Sequence, residues 1–298
     1  MKILVTGANG LLGTKLVELF QRDASIELYA TARRAAIVPL PADRFFLADL
    51  TDAEAVLKMV AAVRPDVIIH TAAMTQVDQC EQDKDGCWKA NVDAVGYLLV
   101  ACEKYNIHFI HLSTDFIFDG SHGPLDETAQ PNPVNFYGES KLAAERLVQE
   151  SNVAWTIIRT VLVYGITPDM SRSNIIVWVK KNLEEGKTLQ VVNDQWRTPT
   201  LAEDLAQGCY LAAVKKATGI FHVSGKDGLT PYQMALHTVA FFQLDASLIK
   251  ETNASQFTQP ARRPQRTGFI IDKARTVLGY EPHSFQEGLA VVAGQLKR

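Results

Sequence analysis

A tyrosine and a lysine four residues apart are the pair in this sequence best suited to acid–base chemistry. Tyr137 and Lys141 have i, i+4 spacing, and two residues at that spacing share one face of a helix. An ammonium beside a phenol favours the phenolate, so we expect Lys141 to lower the pKa of Tyr137 towards neutrality. Tyr137 is therefore predicted to act as a general acid or base at cellular pH.

Two hydroxyl side chains precede that pair in the chain. Ser113 and Thr114 directly follow the apolar run Phe109–Leu112, which is typical of a buried strand. A hydroxyl at the carboxyl end of such a strand can hydrogen-bond a substrate carbonyl and polarise it. We predict that Thr114 (or Ser113) polarises the carbonyl, and that Tyr137 exchanges the proton.

A glycine-rich turn near the amino terminus indicates what the site works with. The run Lys2–Thr6 predicts a strand, and the turn after it leads into an apolar-faced helix. Glycines there let backbone amides approach a dinucleotide pyrophosphate, and Lys141 is placed to bind the nicotinamide ribose. The predicted cofactor contacts in the turn are Gly7, Asn9, Gly10, Leu11, Leu12 and Gly13.

The end of the second predicted strand bears on the choice of cofactor. No acid is found there to bind a ribose 2′-hydroxyl, whereas Arg33 and Arg34 offer forked donors for a 2′-phosphate. NADPH is favoured and NADH remains open, since both arginines can also be read as solvated loop charges. Further predicted cofactor contacts follow the third and fourth strands: Asp49, Leu50, Thr71, Ala72, Ala73 and Thr75.

Composition excludes several classes of protein. The 298 residues are 47% hydrophobic with a net charge of −3, which gives no sign of a basic nucleic-acid surface. We expect neither a membrane segment nor a signal peptide, and a cytoplasmic location. No metal site is expected, because the four cysteines lack metal-ligand spacing and Asp115 and Asp119 are read as organisers of their loop. His70 and His111 are interpreted as core histidines, and Asn91 as equally suited to a structural role or to a contact with the active site.

The order of predicted elements defines the fold class. Strand and helix patterns alternate over the first 160 residues, which predicts a Rossmann-like, doubly wound parallel sheet of α/β class. One long helix is predicted over Cys87–Tyr105 and one strand over Ala154–Val163. We expect residues 1–160 to form the cofactor domain and residues 161–298 mostly a smaller, mixed substrate-binding part, with some segments free to return to the first.

On these motifs the chain resembles an extended short-chain dehydrogenase/reductase, and more closely the dTDP-4-dehydrorhamnose reductase family. The resemblance covers nearly the whole length. Besides the glycine turn, it is carried by Thr71–Asp78, Ser113–Gly120, Asn135–Glu145, Asn193–Gln195, Pro199-Thr200 and Arg263-Pro264.

The resemblance implies reduction of the C4 ketone of dTDP-4-dehydro-L-rhamnose, with Thr114, Tyr137 and Lys141 as catalytic residues. Two positions depart from the family pattern: Leu162 stands where a tryptophan often packs against the sugar, and Arg197 where a small residue is more usual. Both leave the exact sugar open, and the oligomeric state is open too, a homodimer included. The substrate contacts implied are Val77, Ser113, Thr114, Phe116, Tyr137, Leu162 and Arg263.

Two other functions fit parts of the same pattern. A nucleotide-sugar 4-epimerase or dehydratase shares the fold but keeps NAD bound, and the missing ribose-binding acid argues against it. A non-catalytic regulator similar to the beta subunit of methionine adenosyltransferase is the other alternative. The presence of Thr114, Tyr137 and Lys141 together favours an enzyme.

Overall fold

The computed structural model describes residues 1–169 and 174–297. The strands are β1 Lys2–Thr6, β2 Glu27–Ala32, β3 Phe45–Leu47, β4 Val67–His70, β5 His108–Thr114, β6 Trp155–Thr160, β7 Val163–Tyr164, β8 Leu189–Val192, β9 Thr200–Leu201, β10 Gly219–His222 and β11 Ile249–Thr252. The α-helices are α1 Leu11–Phe20, α2 Ala53–Val63, α3 Val77–Gln82, α4 Lys84–Trp88, α5 Ala94–Tyr105, α6 Phe136–Glu150, α7 Ile175–Glu184, α8 Ala202–Val214, α9 Pro231–Phe242 and α10 Phe285–Leu296.

One parallel sheet of seven strands organises the molecule, in the order β10-β6-β5-β4-β1-β2-β3. The chain runs outward from β1 to β3 and then returns to build the other half from β4, which is the doubly wound arrangement. The predicted fold class is confirmed. The register pairs Thr6 with His70 and His70 with His111, so β1, β4 and β5 end at a common edge.

The central strands are buried on both faces. In β1, Ile3 and Val5 belong to the core that α1 and α8 cover, whereas Leu4 belongs to the core under α2, α5 and α6. All three side chains are inaccessible to solvent. Covering both faces explains why these strands read as continuous apolar runs without polar alternation.

Two predicted elements are wrong in their extent. The helix predicted over Cys87–Tyr105 is interrupted by a π-helical turn, Lys89–Asp93, between α4 and α5. The strand predicted over Ala154–Val163 ends at Thr160, because Leu162 has a left-handed backbone with φ of +34°. β7 then leaves the main sheet and pairs with β9 instead.

The carboxy-terminal half contributes to two layers. α7, α9 and α10 enclose separate small cores, one of them against the parallel pair β8 and β11. Between these elements, α8 packs on α1 and β10 adds a strand to the edge of the main sheet beside β6. The division at residue 160 stays a prediction, and α8 and β10 are segments that return to the first unit.

The part of the chain that the structure describes shows neither a membrane-spanning helix nor a cluster of metal ligands. No helix within residues 1–169 and 174–297 is long and apolar enough to cross a membrane. Within the same ranges, no cluster of three histidine, cysteine, aspartate or glutamate side chains could hold a metal ion.

Candidate active site

The glycine turn is held closed by backbone packing. Gly7 has a φ of +69°, and a Cβ there would lie 2.7 Å from the backbone nitrogen of Ala72. A Cβ on Gly13 would lie 2.2 Å from the carbonyl oxygen of Gly7. α1 starts at Leu11 with neither a side-chain cap nor an acid in its first turn. Its amino-terminal amides therefore suit an anion such as a pyrophosphate.

Asn9 fixes the loop that follows β2. Its Nδ2 donates to the carbonyl oxygens of Ala35, at 2.8 Å, and Arg34, at 3.2 Å. Its Oδ1 accepts from the backbone nitrogen of Ile37 at 3.0 Å. These bonds use both amide hydrogens of Asn9, so its side chain positions the loop, and direct contact with a cofactor stays a prediction.

The positive charges predicted to select the cofactor lie at the end of β2. Arg33 and Arg34 are both exposed. Asp49 follows β3, and its Oδ1 accepts from the backbone and the hydroxyl of Thr51, which lowers the pKa of that carboxyl. Arg33 lowers the same pKa more weakly, so its charge is close to Asp49.

The other predicted cofactor residues differ in exposure. The Thr71 hydroxyl donates to the carbonyl oxygen of Thr6 at 2.7 Å and so ties the end of β4 to β1. Leu50 is buried, Ala72 and Ala73 are half-buried, and Thr75 is exposed. Their roles in cofactor binding stay predictions.

α6 brings Tyr137 against the end of β5. Asn135 caps the helix by accepting from the Gly138 nitrogen at 2.9 Å. A Cβ on Gly138 would lie 2.1 Å from the carbonyl oxygen of Phe116, so only glycine permits this close approach. The rings of Phe116 and Tyr137 meet edge to face with centroids 5.8 Å apart. Tyr137 is only 8% exposed.

The expected lowering of the tyrosine pKa is wrong. Burial raises the pKa of Tyr137 above its usual value, and the adjacent side chain of Thr114 opposes that rise only in part. Asp115 raises the pKa further, because a second negative charge nearby disfavours the phenolate. Tyr137 is thus a protonated phenol at neutral pH, which is the form that donates a proton.

Lys141 points its ammonium into the sheet. Nζ donates to the carbonyl oxygen of Leu112 at 2.7 Å and contacts Nε2 of His111 at 3.2 Å. Burial lowers the pKa of Lys141 to about 8, with Glu145 acting in the opposite direction. The i, i+4 spacing placed Lys141 on the expected helix face, but its partners come from β5.

The two predicted hydroxyls occupy different environments. Thr114 donates to Asp115 Oδ1 at 3.2 Å and accepts from the Phe116 nitrogen at 3.2 Å. The Ser113 hydroxyl is buried, and its oxygen has no hydrogen-bond partner within the described residues. A buried polar atom without a partner is costly and marks a place where a ligand can supply the missing bond.

A buried ion pair behind the site was missed by sequence reasoning. Arg197 Nε lies 3.6 Å from Asp115 Oδ2, and the Thr267 hydroxyl also donates to that carboxylate. Burial raises the pKa of Asp115, and Arg197 counters the rise. Asp115 therefore anchors the loop, as predicted, and Arg197 is its counter-ion. No spacing rule links these residues, because they come from three distant segments.

Asn91 has a structural role. It accepts from the Met74 nitrogen at 2.8 Å, and its amide donates to the Met74 carbonyl at 3.1 Å and to the Ser140 hydroxyl at 3.0 Å. These bonds connect the segment after β4 with α6.

The remaining predicted substrate contacts differ in their partners and in their exposure. The guanidinium of Arg263 makes two bonds of 2.7 Å to the carboxylate of Asp78. A contact between Arg263 and the substrate stays a prediction, with Asp78 as a competing partner. Val77 opens the helix that carries Asp78. Leu162 is 43% exposed beside the end of β6 and offers a free apolar surface.

The turn, the sheet edge and the acid–base residues define a class of protein. A Rossmann sheet with an anion-binding turn at β1, and a phenol, an ammonium and hydroxyls at the end of β5, is an NAD(P)-dependent oxidoreductase. Its family is given by comparison with known proteins: the RmlD substrate binding domain family matches residues 1–298. The chain belongs to that family.

Three curated relatives match most of the chain. It is 32% identical to a probable low-salt glycan biosynthesis reductase of Haloferax volcanii, over 98% of this chain and 97% of the relative. It is 32% identical to a dTDP-4-dehydrorhamnose reductase of Burkholderia thailandensis, with 94% of each covered. It is 30% identical to the methionine adenosyltransferase 2 subunit beta of Bos taurus, over 93% of this chain and 82% of the relative.

A solved structure shares the fold over nearly the full length. The dTDP-4-dehydrorhamnose reductase of Bacillus anthracis, in complex with NADP, is 27% identical and superposes with a TM-score of 0.87, with 99% of each chain covered. These findings agree with the resemblance drawn from the sequence.

Proposed function

We propose that the protein uses NADPH to reduce the C4 ketone of a nucleotide-linked 4-keto-6-deoxy sugar, with dTDP-4-dehydro-L-rhamnose as the best candidate. The observation that carries the proposal is the buried, protonated Tyr137 phenol beside Thr114 at the carboxyl end of β5. A ketone reduction needs a proton donor at that edge, next to a group that polarises the carbonyl.

The residues at the end of β5 and on α6 have separate roles in the ketone reduction. The hydroxyl of Thr114 (or of Ser113) donates a hydrogen bond to the ketone oxygen. Thr114 must release its bond to Asp115 Oδ1 to do so, whereas the Ser113 hydroxyl has no competing partner among the described residues. Tyr137 Oη then gives its proton to the same oxygen, and the charged Lys141 stabilises the phenolate that remains. Bound NADPH supplies the hydride.

NADPH fits the residues at its expected site. The turn at Gly7 and Gly13 leaves no room for a Cβ, and the amides of α1 have no side-chain cap. Arg33 and Arg34 carry exposed positive charge at the end of β2, where a 2′-phosphate would be bound. The NADP complex of the Bacillus anthracis relative supports the same choice.

The direct test is an assay of NADPH oxidation with enzymatically prepared dTDP-4-dehydro-L-rhamnose. We expect oxidation matched by formation of the 4-hydroxy sugar, and faster turnover with NADPH than with NADH. Oxidation with a different 4-keto nucleotide sugar alone would keep the reductase chemistry and exclude the rhamnose precursor. No oxidation with any 4-keto nucleotide sugar would overturn the proposal.

A regulatory subunit is the second candidate. The relatives named methionine adenosyltransferase 2 subunit beta, 30% identical for the bovine protein, favour it. Under this alternative the chain would bind a partner enzyme and turn over no sugar. A pull-down that recovers a stoichiometric enzyme partner, together with the absence of NADPH oxidation, would favour the regulatory function.

A further inference from the structure

We propose that His111 is a positioning residue for the acid–base pair, which holds the Lys141 ammonium through the imidazole Nε2. The proposal rests on the proposed function for its role in turnover, since Lys141 matters there as the neighbour of Tyr137. The contact itself can be tested without substrate.

The donors of Lys141 show what His111 contributes. An ammonium has three N–H groups. One is directed to the Leu112 carbonyl at 2.7 Å and a second to His111 Nε2 at 3.2 Å. The third remains for a ligand hydroxyl or the phenol of Tyr137. Two fixed acceptors thus determine the direction in which the third donor points.

The tautomer of His111 follows from its partner. Because lysine can only donate, Nε2 must accept, and the ring proton must lie on Nδ1. Nδ1 is buried and has no hydrogen-bond partner in residues 1–169 and 174–297. An apolar side chain at this wholly buried position would avoid that unmet donor. The imidazole is therefore explained by the acceptor that it presents to Lys141.

Neighbouring rings fix the orientation of the imidazole. His70 stacks on His111 with centroids 5.7 Å apart, and Phe109 does so at 6.2 Å. His70 is held in turn by a bond of 2.8 Å between its Nδ1 and the hydroxyl of Thr6. A column of side chains across β1, β4 and β5 thereby connects the strand before the glycine turn with Lys141.

The titratable groups that face Lys141 come from four elements. Burial lowers the pKa of Lys141 to about 8, while Glu145 of α6 and Cys87 of α4 raise it. His111 of β5 and His70 of β4 are both neutral, because burial and the positive charge of Lys141 lower the pKa of each ring. A neutral acceptor stabilises the ammonium without adding charge. Removing His111 should therefore lower the pKa of Lys141.

The test measures the titration of Lys141 in the intact protein. ¹³C-labelled lysine followed by NMR should give a pKa near 8 for Lys141, assigned by its loss in Lys141→Arg. In His111→Leu and His111→Phe, which lack an acceptor, we expect that pKa to fall by roughly one unit. His111→Gln places an amide oxygen near the position of the imidazole Nε2 and should restore most of the lost pKa of Lys141. His108→Leu is the matched control, since it removes another buried histidine of β5 that bonds Thr156 instead.

The pH at which turnover declines should shift in the same direction as the pKa of Lys141. If the ammonium is the active form, activity declines as pH rises through the pKa of Lys141. The decline should then begin at lower pH in His111→Leu than in wild type or His108→Leu. An unchanged Lys141 titration in both acceptor-free variants would overturn the proposal.

Two further measurements separate the possible failures. If neither acceptor-free variant folds, ¹⁵N NMR of the wild-type ring decides, because a proton on Nε2 of His111 would overturn the proposal. A shifted Lys141 titration without any ketone reduction would support the contact and reject only the proposed function.

Discussion

The glycine turn and the acid–base site around Tyr137 and Lys141 are built in different ways, although both lie at one edge of the same sheet. The turn at Gly7–Gly13 is built from backbone, and the charges proposed to select the cofactor, Arg33 and Arg34, are exposed. The acid–base site is built from buried side chains, and its chemistry depends on what surrounds Tyr137 and Lys141. The first is local in sequence, and the second draws on residues up to two strands away.

Residue spacing predicts the charge of exposed groups better than the pKa of buried ones. Exposed groups keep their charge, so the positive charge at Arg33 and Arg34 follows directly from residue identity. For buried groups, loss of solvent is the largest influence on the pKa and can reverse the effect of a neighbour. Tyr137 has Lys141 one turn away, yet its pKa rises. The same residue pair on an exposed helix would behave differently.

The largest expected effect is the loss of the transferable proton in Tyr137→Phe. This change keeps the ring and its packing against Phe116. We expect kcat for ketone reduction to fall by about 10²–10⁴-fold. Affinity for NADPH, measured by fluorescence titration, should be retained, since the phosphates of the cofactor are expected at the glycine turn. Near-normal turnover would eliminate Tyr137 as the acid.

Removing the positive charges at the end of β2 should instead weaken cofactor binding. In the double variant of Arg33→Ala and Arg34→Ala, we expect weaker NADPH binding and little change for NADH. Each lost charged hydrogen bond contributes about 1.5–3 kcal/mol. Arg22→Ala, which removes an exposed arginine after α1, is the matched control. Equal losses for both cofactors, or a wild type that prefers NADH, would contradict the assignment.

The smallest expected effect concerns the backbone of the turn. In Gly13→Ala, the new Cβ would meet the Gly7 carbonyl at 2.2 Å, so the turn must shift. We expect a loss of roughly 1–3 kcal/mol in the free energy of unfolding, measured by urea denaturation, together with weaker NADPH binding. Gly96→Ala is the control, since nothing lies within 4 Å of its added Cβ. Equal stability of the two variants would show that the turn tolerates a side chain.

Particular residues show how far the sequence allows prediction of the site. The sequence predicts Gly7, Tyr137 and Lys141 at one edge of the sheet, because each lies in a short motif next to a regular element. Arg263 is predicted as a substrate contact, and no local pattern indicates that Asp78 binds it across 185 positions of sequence. His111 was read as a core histidine, and the structure confirms its burial while adding the contact with Lys141.

Residue types and their spacing were enough to predict the strand–helix alternation, the parallel sheet, the glycine turn and the helix face shared by Tyr137 and Lys141. These follow from local patterns of size, polarity and backbone freedom. The raised pKa of Tyr137, the pairing of Asp115 with Arg197 and the partner of Arg263 could not be predicted in this way. Burial and ion pairing depend on segments far apart in the chain, which meet only when the sheet has formed.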